Sequence, residues 1–333
     1  MRKILLTTIV LAAFSLPTTV FAQTAAAPAA APASPHTFAG NVGLFSDYRF
    51  RGISQTYKQP ALQGGFDYAH SSGIYLGTWG SNVSNNLYPN GNLEWDFYGG
   101  YKFEPVKDLG LDVGLIYYYY PGARTLPSSA TAPGLGQPSP SFAPTGLTAN
   151  NASSTGIKNF EWYLGASYSY FSGKFFYAMS DLFGLNNTLI TGFSNPVGIT
   201  GATPATSLCG FQSNGATATT NCYSKAPGSS KGSTYLDLSF NYPFGDKWTF
   251  GLHAGKQTVK NWNQSTYSDY KIGLNKEYSG FTFGANYIWT NAKSEWYRAV
   301  TPGFIQPPGA AMAGQQIKDL SRGTLVMSVS KSF

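Results

Sequence analysis

Ionisable side chains in this chain recur at alternate positions within segments that are otherwise aromatic or small. Asp47, Arg49 and Arg51 are the first such group, and their two-residue spacing places them on one face of an extended strand. Facing lipid, each charge would be costly, whereas facing an aqueous interior it meets water or a partner. We therefore predict that the whole set lines the interior of a membrane barrel. Its other members are Asp67, Glu94, Asp96, Asp112, Glu161, Asp237, His253, Asp269 and Lys271.

Two hypotheses remain open for these inward charges. Carboxylates outnumber bases among them, so an open lumen would mildly favour cations unless basic loops dominate its mouth. Alternatively, opposed charges inside a narrow barrel pair into a network that holds the barrel shut. Asp47, Arg49 and Arg51 could begin a charged constriction or belong to such a network.

The sequence offers few residues that could form an enzyme active site. His36 and His70 fall in a lead-in and a turn, and only His253 lies on a predicted strand. A serine hydrolase needs a serine and an orienting acid beside its histidine, and no GxSxG elbow is present. Glu94 and Asp96 have the spacing of paired carboxylates but nothing more specific. We predict no catalytic residue, no metal site and no cofactor, and the bases form no compact stripe for nucleic acid.

The composition indicates a chain that does not meet water on all sides. Charged residues are 11% and aromatic residues 16% of the sequence, whereas soluble domains carry about 25% charge. Mean hydropathy is nevertheless −0.17, and beyond the N-terminus no apolar run approaches the ~18 residues of a spanning helix. Strands that are apolar on one face only, as in a membrane barrel, reconcile these observations.

Apolar and polar residues alternate with a period of two from about residue 38 to the end. In one stretch Phe281, Phe283 and Tyr287 alternate with Thr282 and Gly284, so one face is large and apolar and the other is small or polar. Most of these stretches are near the 9–11 residues that a tilted membrane strand needs. The predicted strands are at about 38–50, 61–69, 73–81, 92–102, 109–120, 158–171, 173–181, 233–243, 247–256, 267–277, 279–290 and 322–333.

The connections between these strands alternate strictly between short and long. Short turns and long loops lie on opposite sides of bacterial barrels, the turns in the periplasm. We therefore predict an all-β, transmembrane antiparallel up-and-down β-barrel of twelve strands over residues 37–333, with both termini periplasmic. The predicted short turns lie near 70–72, 103–108, 172–173, 244–246 and 278–279, and the long loops at 51–60, 82–91, 121–157, 182–232, 257–266 and 291–321.

The N-terminus is typical of a secretory signal peptide. Arg2 and Lys3 precede an apolar core at 4–16, and small residues stand at the −3 and −1 positions before Gln23. We predict a signal peptide over 1–22 and an Ala/Pro-rich periplasmic lead-in over 23–36. The predicted location is the outer membrane of a Gram-negative bacterium.

The two cysteines and the C-terminal residue give further expectations. Cys209 and Cys222 share one polar loop, and in an oxidising compartment we predict a disulfide between them. Phe333 ends a final alternating strand and resembles the membrane insertion signal that the barrel assembly machinery reads.

Aromatic residues fall where the predicted strands meet the two membrane interfaces, which predicts two girdles. The long loops are rich in bases, which either pair with lipopolysaccharide phosphates or simply keep the loops soluble. The predicted girdle residues are Tyr68, Tyr242, Trp248, Tyr278 and Phe333 at the short-turn end, and Trp79, Tyr117 to Tyr120 and Trp289 at the long-loop end.

Several blocks of the sequence resemble one family. SDYRFRGISQT at 46–56, PALQGGFDY at 60–68, GIYLGTWGSNV at 73–83 and EWDFYGGY at 94–101 are similar to the TorF-type porins, long described as conserved hypothetical outer-membrane proteins (Gcw_chp). Weaker matches continue to the closing SKSF. The resemblance implies an outer-membrane channel without a defined substrate. The loops 121–157 and 182–232 look longer than is usual for the family, which leaves any loop-borne specificity open.

We therefore expect a channel for passive diffusion of small solutes or ions through a narrow, charged lumen. The alternative is a non-conducting surface barrel whose long loops bind a partner or lipopolysaccharide. Expected partners are outer-membrane lipid, lipopolysaccharide, the assembly machinery and small solutes or ions, but not nucleic acid. The sequence defines no oligomeric state.

Overall fold

The protein folds as a closed barrel of twelve antiparallel strands, as predicted. The computed structural model describes residues 34–85, 87–88, 91–124, 156–185, 228–300 and 317–333, and four short strands at 148–149, 193–194, 208–209 and 222–223. The predicted signal peptide and nearly all of the lead-in lie outside the described residues. The barrel strands are β1 (His36–Phe45), β2 (Ala61–His70), β3 (Ile74–Asn82), β4 (Leu93–Val106), β5 (Leu109–Arg124), β6 (Gly156–Tyr168), β7 (Phe171–Ala178), β8 (Thr234–Phe244), β9 (Trp248–Thr258), β10 (Tyr267–Tyr278), β11 (Phe281–Thr290) and β12 (Thr324–Ser332).

Each strand pairs with its two neighbours in sequence, and β12 pairs with β1 to close the barrel. Closure pairs the backbone groups of both terminal strands, which is the condition for strands to cross a bilayer. Gly40 and Phe333 extend the seam, since the Gly40 N–H donates to the Phe333 carbonyl at 2.8 Å and the Phe333 N–H donates to the Gly40 carbonyl at 2.9 Å.

The period-two alternation explains the two surfaces of the wall. Outward side chains are large and apolar, and they form the belt that a transmembrane barrel turns toward lipid. Exposed members of the belt include Phe38, Leu44, Phe66, Leu76, Leu164, Leu238, Leu274, Phe283 and Met327.

In the described residues, the loops add short strand pairs and short 3₁₀ helices to the barrel. Short strand pairs join Arg49–Phe50 to Ile53–Ser54, Thr148–Ala149 to Phe193–Ser194, Leu208–Cys209 to Cys222–Tyr223, and Arg298–Val300 to Ile317–Asp319. Short 3₁₀ helices lie at Leu182–Gly184, Asn263–Ser265 and Ser294–Trp296.

None of the helices in the described part of the chain is long and apolar enough to span a membrane.

The first strand is shorter than predicted. It ends at Phe45, where the Ser46 N–H donates to the Met327 carbonyl, and the chain then turns into the barrel. Tyr48 and Phe50 look lipid-facing in the sequence because they alternate with charges, yet both are buried in the interior. The prediction that Asp47, Arg49 and Arg51 lie on the first barrel strand is therefore wrong. We call residues 46–60, which lie between β1 and β2, the inward segment.

One short turn is displaced. The sequence places it at Ser172 and Gly173, whereas the chain turns at Ser169 and Tyr170. Ser169 adopts a left-handed conformation with φ of 54°, and Gly173 instead pairs with Ala166 inside the sheet.

The girdle at the long-loop end is also only partly as predicted. Trp79, Tyr118 and Tyr120 point into the barrel and are almost fully buried, while Tyr119 faces outward. Trp79 packs edge-on against Tyr48 of the inward segment, with ring centroids 5.5 Å apart. These rings fill the interior at the long-loop end rather than contact lipid.

Candidate functional site

The inward side chains are arranged in tilted rows. Because directly paired residues on neighbouring antiparallel strands point to the same face, each register pairing continues a row around the barrel. One row carries five charged side chains. The row begins near the short-turn end of β4, crosses the neighbouring strands and ends at the long-loop end of β11. Its members, in order, are Lys102, Asp112, Gly165, Lys174, Asp237, Gly255, Asp269 and Thr290.

The first part of this charged row is an ion-paired cluster. Lys174 Nζ lies 2.9 Å from Asp112 Oδ2, and the Tyr75 hydroxyl donates to Asp112 Oδ1 at 2.6 Å. Lys174 Nζ is 4.2 Å from the ring centroid of Tyr163, and Lys102 Nζ is 4.5 Å from that of Tyr75. The tyrosine faces therefore support both ammonium groups in addition to the carboxylate.

The second part of the row brackets a histidine. His253 Nε2 is 2.9 Å from Asp269 Oδ1, and Nδ1 is 3.3 Å from Asp237 Oδ1. The Tyr235 hydroxyl also bonds to Asp269. Lys271 pairs with His253 across β9 and β10 and faces the same interior. Two carboxylates thus lie against one imidazole, and an ammonium group faces the same part of the interior.

Ser239, His253 and Asp269 have the side-chain types of a hydrolase triad. Ser239 Oγ lies 3.3 Å from His253 Nδ1. However, Asp237 Oδ1 lies equally close to that nitrogen and accepts from the Ser239 hydroxyl at 3.2 Å. With a carboxylate at each ring nitrogen, the imidazole has no free nitrogen to accept the serine proton. The geometry therefore disfavours His253 as a general base.

A mainly aromatic row lies on the long-loop side of the charges. Its members are Tyr75, Tyr163, Phe176, Tyr235, Gln257 and Tyr267, with glycines between the first two. A Cβ at the intervening glycine of β4 would lie 2.7 Å from the Tyr75 hydroxyl. The glycines thus leave room for the rings.

The inward segment crosses the interior above these rows. Arg51 belongs to the β1–β2 connection, yet its Nη2 lies 2.6 Å from Glu161 Oε2 on β6, and its Nη1 donates to Gln257 Oε1 on β9 at 2.6 Å. Its guanidinium is also 4.3 Å from the ring centroid of Tyr235 and 5.3 Å from that of Phe176. Since β6 to β9 lie opposite β1 in the closed strand order, Arg51 joins the segment to the far wall.

Arg49 anchors the segment to the near wall. Its guanidinium bonds to Asp47 at 2.6 Å, to the Leu320 carbonyl at 3.0 Å and to the Thr324 hydroxyl at 2.6 Å. Asp47 also accepts from the Ser54 hydroxyl at 2.6 Å. This bond holds together the two ends of the short hairpin formed by Arg49–Phe50 and Ile53–Ser54. The segment is therefore fixed at both sides of the barrel.

The remaining predicted carboxylates lie on the walls beside the segment. Glu94 accepts from the Tyr48 hydroxyl at 3.1 Å, and Asp96 is buried on the same strand. Asp67 accepts from the Tyr98 hydroxyl at 2.6 Å. All twelve predicted interior residues thus face the interior, nine of them from barrel strands and three from the inward segment.

Toward the short-turn end, the wall formed by β7–β12 has a different character. Apart from Glu277, which pairs with Thr282, many of its inward positions hold small, uncharged polar side chains that are only partly buried, so this part of the interior is not filled. They include Ser172, Ser239, Asn241, Thr249, Asn275, Thr282, Asn286, Ser328 and Ser330.

Two interior lysines, Lys174 and Lys102, were not predicted from the sequence. Lys174 was missed because the misplaced turn obscured the facing of β7. Lys102 lies four residues after Tyr98 and therefore on the same face of the strand. That spacing could have shown that Lys102 faces the interior, but its position near the predicted strand end suggested a turn residue. The backbones of Cys209 and Cys222 are cross-strand partners; their side chains lie outside the described part of the structure, so the disulfide stays a prediction.

A family model described as "Bacterial protein of unknown function (Gcw_chp)" matches residues 29–333. The chain belongs to the Gcw_chp family. No curated protein matches this Gcw_chp chain in sequence. Among solved structures, it is similar to the KdgM porin, with 7% identity and a TM-score of 0.41 over 89% of this chain and 99% of that one. The NanC porin gives 8% identity and a TM-score of 0.41 over 89% and 99%. OprD of Pseudomonas aeruginosa gives 9% and 0.33 over 90% and 66%.

Proposed function

We propose that this Gcw_chp protein is an outer-membrane channel of the TorF-type porin kind. Small solutes or ions would diffuse passively through its charged lumen, with the inward segment as the constriction. The observation that carries the proposal is the contrast between the two parts of the interior. A barrel that only needed to be filled would have large side chains throughout, yet the short-turn part has small polar ones that leave space for water.

The proposed orientation places the long loops outside the cell and the short turns in the periplasm. It is supported by the alternation of connections, which is the pattern of bacterial barrels. In this orientation a polar vestibule opens to the periplasm, and the inward segment separates it from the external face. Phe333, exposed at the end of the closing strand, is the proposed signal for the assembly machinery.

The test is single-channel conductance of the refolded protein in a planar bilayer, with folding checked by heat-modifiable gel mobility. We expect small discrete steps for the natural sequence. Replacing residues 49–54 by a Gly/Ser stretch of equal length removes both arginines, and we expect clearly larger steps. If neither folded protein gives steps, the channel proposal is wrong.

A non-conducting surface barrel is the second candidate, because the long-loop part of the interior is densely packed. Tyr48, Phe50, Trp79, Tyr118 and Leu182 are among its buried side chains. Trimming the loops 121–157 and 182–232 discriminates the two functions. It should abolish binding of a partner by a surface barrel, but leave or enlarge the conductance of a channel.

A further inference from the structure

Four lysines lie at the long-loop end of the wall formed by β6–β9. Lys158 and Lys256 occupy outward positions near the ends of β6 and β9, and Lys231 and Lys260 lie in the adjoining loops; all four are exposed. A Cβ at Gly232 would lie 3.2 Å from Lys260 Cδ and 3.5 Å from its Nζ. We call Lys158, Lys231, Lys256 and Lys260 the basic rim.

Aromatic side chains lie directly below the basic rim. The same Cβ position at Gly232 is 3.2 Å from the Tyr177 hydroxyl, so Lys260 and Tyr177 are neighbours. Tyr177 stacks on Trp162 at a centroid distance of 6.0 Å, and Phe175 lies 5.8 Å from the same indole. All three rings are at outward positions. The rim therefore stands where an apolar belt gives way to water, the depth at which lipid headgroups lie.

The charges of the basic rim are not balanced by carboxylates. In the described residues of β6–β9 and their loops, Asp181 is the acid at this end, and its carboxylate accepts from the Ser229 hydroxyl at 2.5 Å and the Lys231 backbone N–H at 3.2 Å. It is thus already engaged within its loop.

The short-turn end of the barrel contrasts with the basic rim. There, Lys247 Nζ lies 2.6 Å from Glu277 and Lys276 Nζ lies 3.2 Å from Asp246. The hydrogen bond to Glu277 raises the pKa of Lys247. Lys107 stands between Glu104 and Asp108 in the chain, and Lys331 Nζ lies 4.9 Å from the ring centroid of Phe281. Among the described residues, the excess of positive charge is therefore larger at the long-loop end.

We propose that the basic rim, with Trp162 and Tyr177 beneath it, binds the phosphates of lipid A in the outer leaflet. Ammonium groups pair with dianionic phosphate by charge-assisted hydrogen bonds, and the aromatic rings contact the sugar and the upper acyl chains. The inference names a lipid partner and rests on the proposed orientation, but it does not depend on conduction.

The test measures binding of fluorescent bisphosphorylated lipid A to the refolded full barrel in nanodiscs, where both ends are accessible. The rim variant carries Lys158→Gln, Lys231→Gln, Lys256→Gln and Lys260→Gln. The control carries Lys107→Gln, Lys247→Gln, Lys276→Gln and Lys331→Gln, which removes the same charge from the short-turn end.

We expect the rim variant to bind about tenfold more weakly or worse, and the control to bind like the natural sequence. Dephosphorylated lipid A should bind both variants and the natural sequence equally weakly. Equal losses in the two variants would mean bulk charge attraction and would overturn the proposal, as would unchanged binding by the rim variant. Conductance is measured separately, so a failed channel and a failed lipid site are distinguishable.

Discussion

Arg51 forms a buried ion pair across the interior of the barrel. It is buried, its carboxylate partner Glu161 is buried, and it carries the inward segment across to the far wall. Removing one partner of a buried ion pair leaves an uncompensated charge, which typically costs ~3–5 kcal/mol. Replacing both partners by neutral groups avoids most of that cost.

We therefore predict strong coupling in a double-mutant cycle of Arg51→Met and Glu161→Gln. Each single variant should lose about 3 kcal/mol or more of unfolding free energy in guanidinium, and the double variant should lose much less than the sum. The exposed pair Lys247→Met and Glu277→Gln is the control, with an expected coupling below ~1 kcal/mol. Additive losses at Arg51 and Glu161 would contradict the role given to this pair.

A substitution at Gly255 gives a second prediction about stability. A Cβ there would collide with the Tyr235 hydroxyl and lie 2.5 Å from Asp269 Oδ2, so Gly255→Ala must displace the carboxylate beside His253. We predict a loss of about 1–3 kcal/mol in stability, measured by the same unfolding assay. Gly156→Ala is the control, because a Cβ at Gly156 meets nothing within 4 Å. Similar effects at both glycines would contradict tight packing around Gly255.

At this scale, alternation predicted the facing of nine ionisable residues on the barrel strands, because it is a local property. It missed Lys102 and Lys174, and it placed Asp47, Arg49 and Arg51 on the wrong element. It could not predict their partners. Whether Arg51 meets Glu161 or solvent depends on a loop that crosses the barrel, and no local spacing encodes that crossing.

At the scale of elements, the five short turns differ in how well their residues suit them. Ser279 and Gly280 connect β10 to β11 with φ of 51° and 78°, the conformation of a two-residue type I′ turn. Asn tolerates positive φ better than Ser does. Ser279→Asn should therefore raise the unfolding free energy by several tenths of a kcal/mol.

The control for Ser279→Asn is Ser71→Asn. Ser71 also lies in a short turn, but its φ is not in the left-handed region, so we expect no gain. A gain at both positions would show that added polarity, rather than turn conformation, is responsible.

Some boundaries of strands and turns could not be predicted from the sequence pattern. Both the true first strand and the inward segment alternate, so the pattern could not reveal the point where the chain leaves the wall. The turn between β6 and β7 was misplaced because Gly173 is a strong turn signal, while Ser169 and Tyr170 are not. Pairing of Tyr168 with Phe171 across the sheet decides that turn instead.

At the scale of the whole molecule, twelve strands could be counted from the sequence because short and long connections alternate strictly, which is the pattern of bacterial barrels with an even number of strands. The state of the interior could not be predicted in the same way. Closure at the long-loop end comes from contacts between residues far apart in the chain, such as Arg49 with Thr324 and Tyr48 with Glu94.

The sum of interior charges leads to a prediction about selectivity. Among the described interior groups, carboxylates outnumber lysines and arginines, so the natural channel should show a cation-leaning reversal potential under a salt gradient. A unit charge at ~4 Å in water shifts an ion's energy by about 1 kcal/mol, or roughly fivefold in local concentration.

Asp67→Asn with Asp112→Asn should therefore move the reversal potential toward anions. Lys102→Gln with Lys271→Gln should move it the other way by a similar amount. Shifts in the same direction, or an anion preference of the natural protein, would mean that ions do not pass these side chains and that permeation is governed by the basic loops.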